Sequence, residues 1–352
     1  MSLRHSLERS AQYDAEYGGN LSSHLPMALT ALARLGADDL RLAAFAGHYA
    51  SRLRPAPAVE PWPGGEAWQG RFGDPRAWPA YRSLFGDWID HEGAPAVLAQ
   101  ALPALMRGVG AAAFHAQIRS AYAIGSGHGP ELASALAYWA CRWFSLGAAP
   151  TRGRERDPAA VLARLRCAQP KPGLIAERMA LVAGPAAFAR VAAGLRIDPQ
   201  TTLEQLATLA ARLYAASANF TVLHLLTSAH AMRVLLSCIE PDAAAEALGH
   251  YWLAYAAAHA ASGLGNTDGP ALPGVPLSAP RPAASRQAPR GGQGNLGAAR
   301  RFLERAWPDL VAQALASDDA HLIKLIDSCR EQERAYGGVV WREAASRAVA
   351  DG

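Results

Sequence analysis

Apolar positions recur at intervals of three and four along almost the whole chain, and alternating β-branched runs are absent. That spacing belongs to helices that bury one face. Alanine and leucine supply most of it, and both favour helix. The pattern opens clearly at Ser23-His24-Leu25-Pro26-Met27, where Ser22 or Ser23 can cap a helix and Pro26 suits its first turn. His24 then shares an apolar face with Ala28, Ala31 and Leu35. Gly36 ends this helix, and Asp38 or Asp39 starts another that runs to about Leu53. Further helices are expected at about 94–107, 110–124, 130–146, 158–167, 174–193, 201–216 and 219–240, and from Pro241 to about Ala261. The last three are expected at about 297–315, 318–334 and from about 340. Ser317 stands as the N-cap of the second of these, with Asp318 and Asp319 in a first turn that favours acids. The predicted fold class is all-α, one large multi-helix domain over residues 1–352.

Two stretches break the pattern. Residues 55–74 are rich in Pro, Gly and Trp and read as an extended loop. Trp62, Trp68, Phe72, Trp78, Tyr81, Phe85 and Trp88 crowd the same region, either as packing or as the wall of a pocket for a flat ligand. Residues 263–296 carry Gly, Pro, Ser and Arg without periodicity, which fits a flexible loop, a lid or an insertion of no consequence.

Composition narrows the function. Hydrophobic content is 51% and charged content 18%, below the usual charged share of about 25%, so much of the chain should be buried. The net charge of +4 is spread out, with no basic run interleaved with aromatics, so no nucleic-acid partner is expected. Apolar runs end before the ~20 residues that a bilayer span needs. Four scattered cysteines without CxxC spacing and a start lacking an apolar signal core point to a cytoplasmic chain with reduced thiols.

Chemistry concentrates on histidine and lysine. The chain has only two lysines, Lys171 and Lys324, against 32 arginines. Lys324 follows His321 by three residues on one helix face, among Leu322, Ile323, Leu325 and Ile326. A buried lysine can lose its proton and an arginine does not, so Lys324 is either kept for amine chemistry or snorkels to the surface. Of eleven histidines, His5, His48, His91 and His128 lie at helix ends or beside loops and read as solvated. His250 and His259 are half a turn out of phase, and at most one of His224 and His230 can face a given centre. His24, His115, His224 and His321 remain, on four separate apolar helices. They are core histidines or, together, ligands from facing helices around a metal. HExxH, GxSxG and P-loop motifs are absent. Gly125-Ser126-Gly127-His128-Gly129 follows a helix, so it is no dinucleotide fingerprint.

Five stretches together resemble the questin oxidase-like family. They are Ser23 to Ala37, Ala113-Phe114-His115-Ala116-Gln117 through Ala123, Glu131 to Trp139, Asn219-Phe220 through His224 to Thr227, and Asp319-Ala320-His321-Leu322-Ile323-Lys324. The resemblance implies an all-helical oxidoreductase acting on polycyclic aromatic, quinone-like substrates. Members are Baeyer–Villiger-type oxidases using NADPH, or O2-dependent non-haem iron dioxygenases that open a quinone ring. In the iron type, four histidines and a carboxylated lysine hold Fe2+. The corresponding positions are His24, His115, His224, His321 and Lys324, with His230 in reserve, and Lys324, His115 and His224 as the catalytic core. Asp318, Asp319 or Asp327 would orient a ligand histidine or cap the helix. The alternatives are a metal-free NADPH-dependent oxidase and a non-enzymatic helical protein that binds aromatic ligands.

Overall fold

Two helices are apolar on most sides, Phe220–Leu236 and Pro241–Ala261, and they pack on one another and on several of the other described helices. The computed structural model describes residues 2–65, 67–150, 153–165, 173–264 and 305–351. Among these the chain is all-helical, with sixteen α-helices and one antiparallel pair of short strands, β1 (Glu16–Tyr17) and β2 (Leu21–Ser22). No described helix is long and apolar enough to cross a membrane.

Four helices form a closed ring. Leu25–Leu35 packs on His115–Ser126, which packs on Phe220–Leu236, which packs on Ala320–Tyr336, which returns to Leu25–Leu35. The second is anchored to Gly129–Arg142 by a buried fork from Arg119 to Glu131, with Nε and Nη2 at 2.6 and 2.9 Å from the carboxylate oxygens. Beneath the ring, Tyr122 donates to Asp327 at 2.9 Å, and Arg34 lies 3.4 Å from the same carboxylate. These contacts tie three of the four helices together through buried polar groups.

Several helix starts differ from the expected ones. The first ring helix is capped by His24, because Ser22 lies in β2 and the Ser23 amide donates to the Ala15 carbonyl at 2.8 Å. The expected 110–124 helix begins only at His115, after a turn in which Ala112, Ala113 and Phe114 take φ of +49°, +54° and +69°. Ser317 closes the helix Trp307–Ala316, and Asp319 caps the next one, Ala320–Tyr336. Gly184-Pro185 splits the expected 174–193 helix into Ile175–Ala183 and Ala186–Ala192. The 130–146 helix stops at Arg142. Two helices carried no clear signal: Leu3–Ser10, and Trp78–Glu92, whose aromatic content masks its period. The expected 263–296 loop lies outside the described residues from 265 onward, as do 297–304 of the helix expected there.

The aromatic cluster resolves as packing. Trp68 meets Phe72, Phe85 and Trp88 edge-on, Trp62 leans on Tyr81, and Phe72 stacks on Trp143 at 5.1 Å. None of the seven aromatics lines the histidine cavity described below.

Candidate metal centre

All four ring helices bring their N-terminal ends to one place. His24 is the N-cap of the first and His115 the first residue of the second. His224 sits in the second turn of the third, and His321 in the first turn of the fourth. Ring centroids are 4.7 Å apart for His24 and His115, stacked, and 4.8 Å for His115 and His224. They are 5.7 Å for His224 and His321, and 4.4 Å for His321 and His24. One ring nitrogen from each of His24, His115 and His321 lies within 4.8 Å of the others.

Local backbone chemistry sets the tautomers. The left-handed turn before His115 aims the Ala112 carbonyl back at the ring, and His115 Nδ1 donates to it at 2.6 Å. Asn219 caps the Phe220–Leu236 helix, and His224 Nδ1 donates to the Phe220 carbonyl at 2.8 Å. A carbonyl only accepts, so each Nδ1 carries the proton and each Nε2 presents a lone pair. Both Nε2 atoms are buried and have no hydrogen-bond partner among the described residues. Such a group costs free energy unless something occupies it. Asp319 accepts from the His321 amide at 2.8 Å and lies 3.5 Å from His321 Nδ1. That arrangement leaves the far nitrogen of His321 to face inward.

Burial keeps the cluster neutral. Loss of solvent lowers His24 and His115 well below the ordinary histidine value and takes His224 down to about 3. His321 is lowered too, chiefly by burial, against the pull of Asp319. Lys324 is 1% exposed, and burial brings its amine down to about 7. Its positive charge adds to the lowering of all four histidines. The set is four neutral imidazoles, with inward lone pairs assigned on His115 and His224, and a buried amine whose proton is easily lost. Such groups could serve as donors to a divalent transition metal.

A cavity of about 680 Å³ opens on this cluster. Phe220, Leu174, Ile175 and Phe144 give it apolar walls, and His24, His115, His224 and His321 form one end. Glu16 and Arg142 also line it, paired with one another, and Tyr138 donates to Glu16 at 2.9 Å. Arg178, from the helix Ile175–Ala183, reaches the cavity as well. Sequence reasoning missed Arg178, because an arginine on a short helix beside Glu177 reads as solvated.

The remaining residues go elsewhere. His230 is buried beside Tyr122 at 6.2 Å and Arg233, and does not touch the four rings. His128, expected to be solvated, is buried, and its Nδ1 accepts from the Glu131 amide as a helix cap. Asp318 pairs with Arg41 at 2.9 Å, and Asp327 serves Tyr122 and Arg34. Of the three acids, Asp319 is the one in contact with a cluster histidine.

A family model described as questin oxidase-like matches residues 21–329, a span that includes the four histidines and Lys324. No curated protein matches the chain.

Proposed function

The chain belongs to the questin oxidase-like family, and from that premise we propose that it is a mononuclear non-haem iron oxygenase acting on a flat, quinone-like aromatic with O2. One observation carries the reading: the orphaned Nε2 atoms of His115 and His224 sit within a ring of four neutral imidazoles. His24, His115, His224 and His321 would hold Fe2+, with Lys324 completing the set as its carbamate. Bound iron would relieve the spin barrier between triplet O2 and a closed-shell aromatic, whose own bonds supply the electrons. Zinc has no such redox chemistry.

The chain's own residues do the rest. The neutral Lys324 amine adds to the carbon of CO2; an N–C bond forms and one proton leaves to solvent. The product is an anionic oxygen donor where a free lysine would place a cation. Four helix N-termini converge there, and their dipoles favour that anion. Asp319 holds His321, and the Ala112 and Phe220 carbonyls hold His115 and His224, so three rings are oriented before any metal arrives. The apolar walls take the aromatic ring and keep water from it.

Elemental analysis of protein produced with iron tests this, alongside O2 uptake with a hydroxyanthraquinone. About one iron per chain, a 13C carbamate resonance under labelled CO2 that Lys324→Ala removes, and chelator-sensitive O2 uptake are expected. Metal-free protein, or quinone-dependent NADPH consumption that chelator leaves untouched, would overturn it.

A further inference from the structure

Among the described residues, two guanidinium groups line the cavity, with different surroundings. Arg142 is neutralised by Glu16. Arg178 has no carboxylate partner among the described residues. Its Nη2 lies 3.5 Å from the Thr221 hydroxyl, a long contact, and its Nε is buried without a partner among the described residues. The neighbouring Glu177 also lines the cavity, and its carboxylate accepts from the Leu174 amide at 3.1 Å rather than pairing with Arg178. A guanidinium keeps its charge and presents a planar fork of donors. Here the fork lines the cavity with donors unspent among the described residues, which costs free energy that a bound oxyanion would recover.

Its position is informative. Thr221 precedes His224 by three residues on one helix, so the cation stands about one turn from a cluster histidine, toward the helix start. A flat ligand with its ring at the histidines would bring a ring substituent toward Arg178. The cavity volume of about 680 Å³ suits a ligand of that size.

We propose that Arg178 is a specificity-determining residue that binds an anionic oxygen, phenolate or carboxylate, carried by the aromatic substrate. The proposal rests on the oxygenase reading and names its substrate class: aromatics bearing an ionised oxygen at one end.

Binding is measured by fluorescence quenching on protein produced with iron supplied, with two matched pairs. One pair is anthraquinone-2-carboxylate and its methyl ester; the other is 2-hydroxyanthraquinone above its pKa and its methyl ether. Wild-type protein is expected to prefer the charged member of at least one pair by about 10-fold or more, the range of a charge-assisted hydrogen bond. Which pair shows the preference identifies the oxyanion. Arg178→Met and Arg178→Gln should abolish it while the neutral members bind as before, and Arg178→Lys should retain part of it. A wild type without preference, or variants that keep it, would overturn the assignment. Iron content is read on the same samples. Full iron with no preference sinks the Arg178 role alone, whereas a preference in protein that never holds iron sinks the oxygenase reading alone.

Discussion

Lys324 shows how a single residue can be costly to the fold and still be retained. Its amine titrates at about 7 in the fold, because burial disfavours the charge, and at 10.5 as a free lysine. Between those values the unfolded chain binds the extra proton, so stability rises with pH by up to about 1.4 kcal/mol per unit. Below about pH 7 both states are protonated, and the penalty is complete. Lys324→Met should therefore be more stable than wild type in metal-free, CO2-free buffer. The gap should reach on the order of 5 kcal/mol at pH 6 and shrink toward pH 10, read from urea midpoints. The same variant should take up no iron. Asp319 makes a second case. Asp319→Ala removes both a helix cap and the orienting contact to His321. It should cost about 1 kcal/mol of stability and about 10-fold in iron affinity, measured by competition with a chelator.

The helices separate what the pattern of residues reveals from what tertiary structure decides. Apolar spacing identified most of them, and the surroundings of His24, His115, His224 and His321 marked these four for scrutiny before any geometry was known. Helix starts were less legible. Ser22 and Ser23 look like caps but are taken up around the short strands, and three consecutive left-handed residues, Ala112, Ala113 and Phe114, include no glycine to announce them. Such residues cost about 1–2 kcal/mol each, and here that turn supplies the carbonyl that orients His115. Ala218, with φ of +49°, ends Thr202–Ser217 in the same conformation, and no cluster histidine bonds to its carbonyl. Ala218→Gly should raise stability by about 1 kcal/mol and leave iron affinity unchanged. Ala113→Gly should give a similar gain while weakening iron binding, because the turn that aims His115 loosens. Thermal unfolding paired with metal titration distinguishes the two.

At the scale of the molecule, the histidine cluster joins points spread from His24 to His321. Each ring helix is separated from the next by a long stretch of chain, so no local segment can form the site alone. A metal bound there clips distant parts of the chain, and its binding free energy becomes folding free energy. Free Fe2+ at a thousand times its dissociation constant should raise unfolding free energy by about 4 kcal/mol, with the denaturant midpoint rising and the slope constant. Long-range closure also explains why Arg178 escaped notice: only the packed chain brings that short helix beside the start of Phe220–Leu236. The scarcity of lysine has a practical consequence as well. An amine-reactive ester finds two lysines in the chain, and Lys324 is sealed among four helices. Acylation at Lys324 requires those helices to part, so the labelling rate of one peptide, followed by mass spectrometry, counts how often the interior breathes.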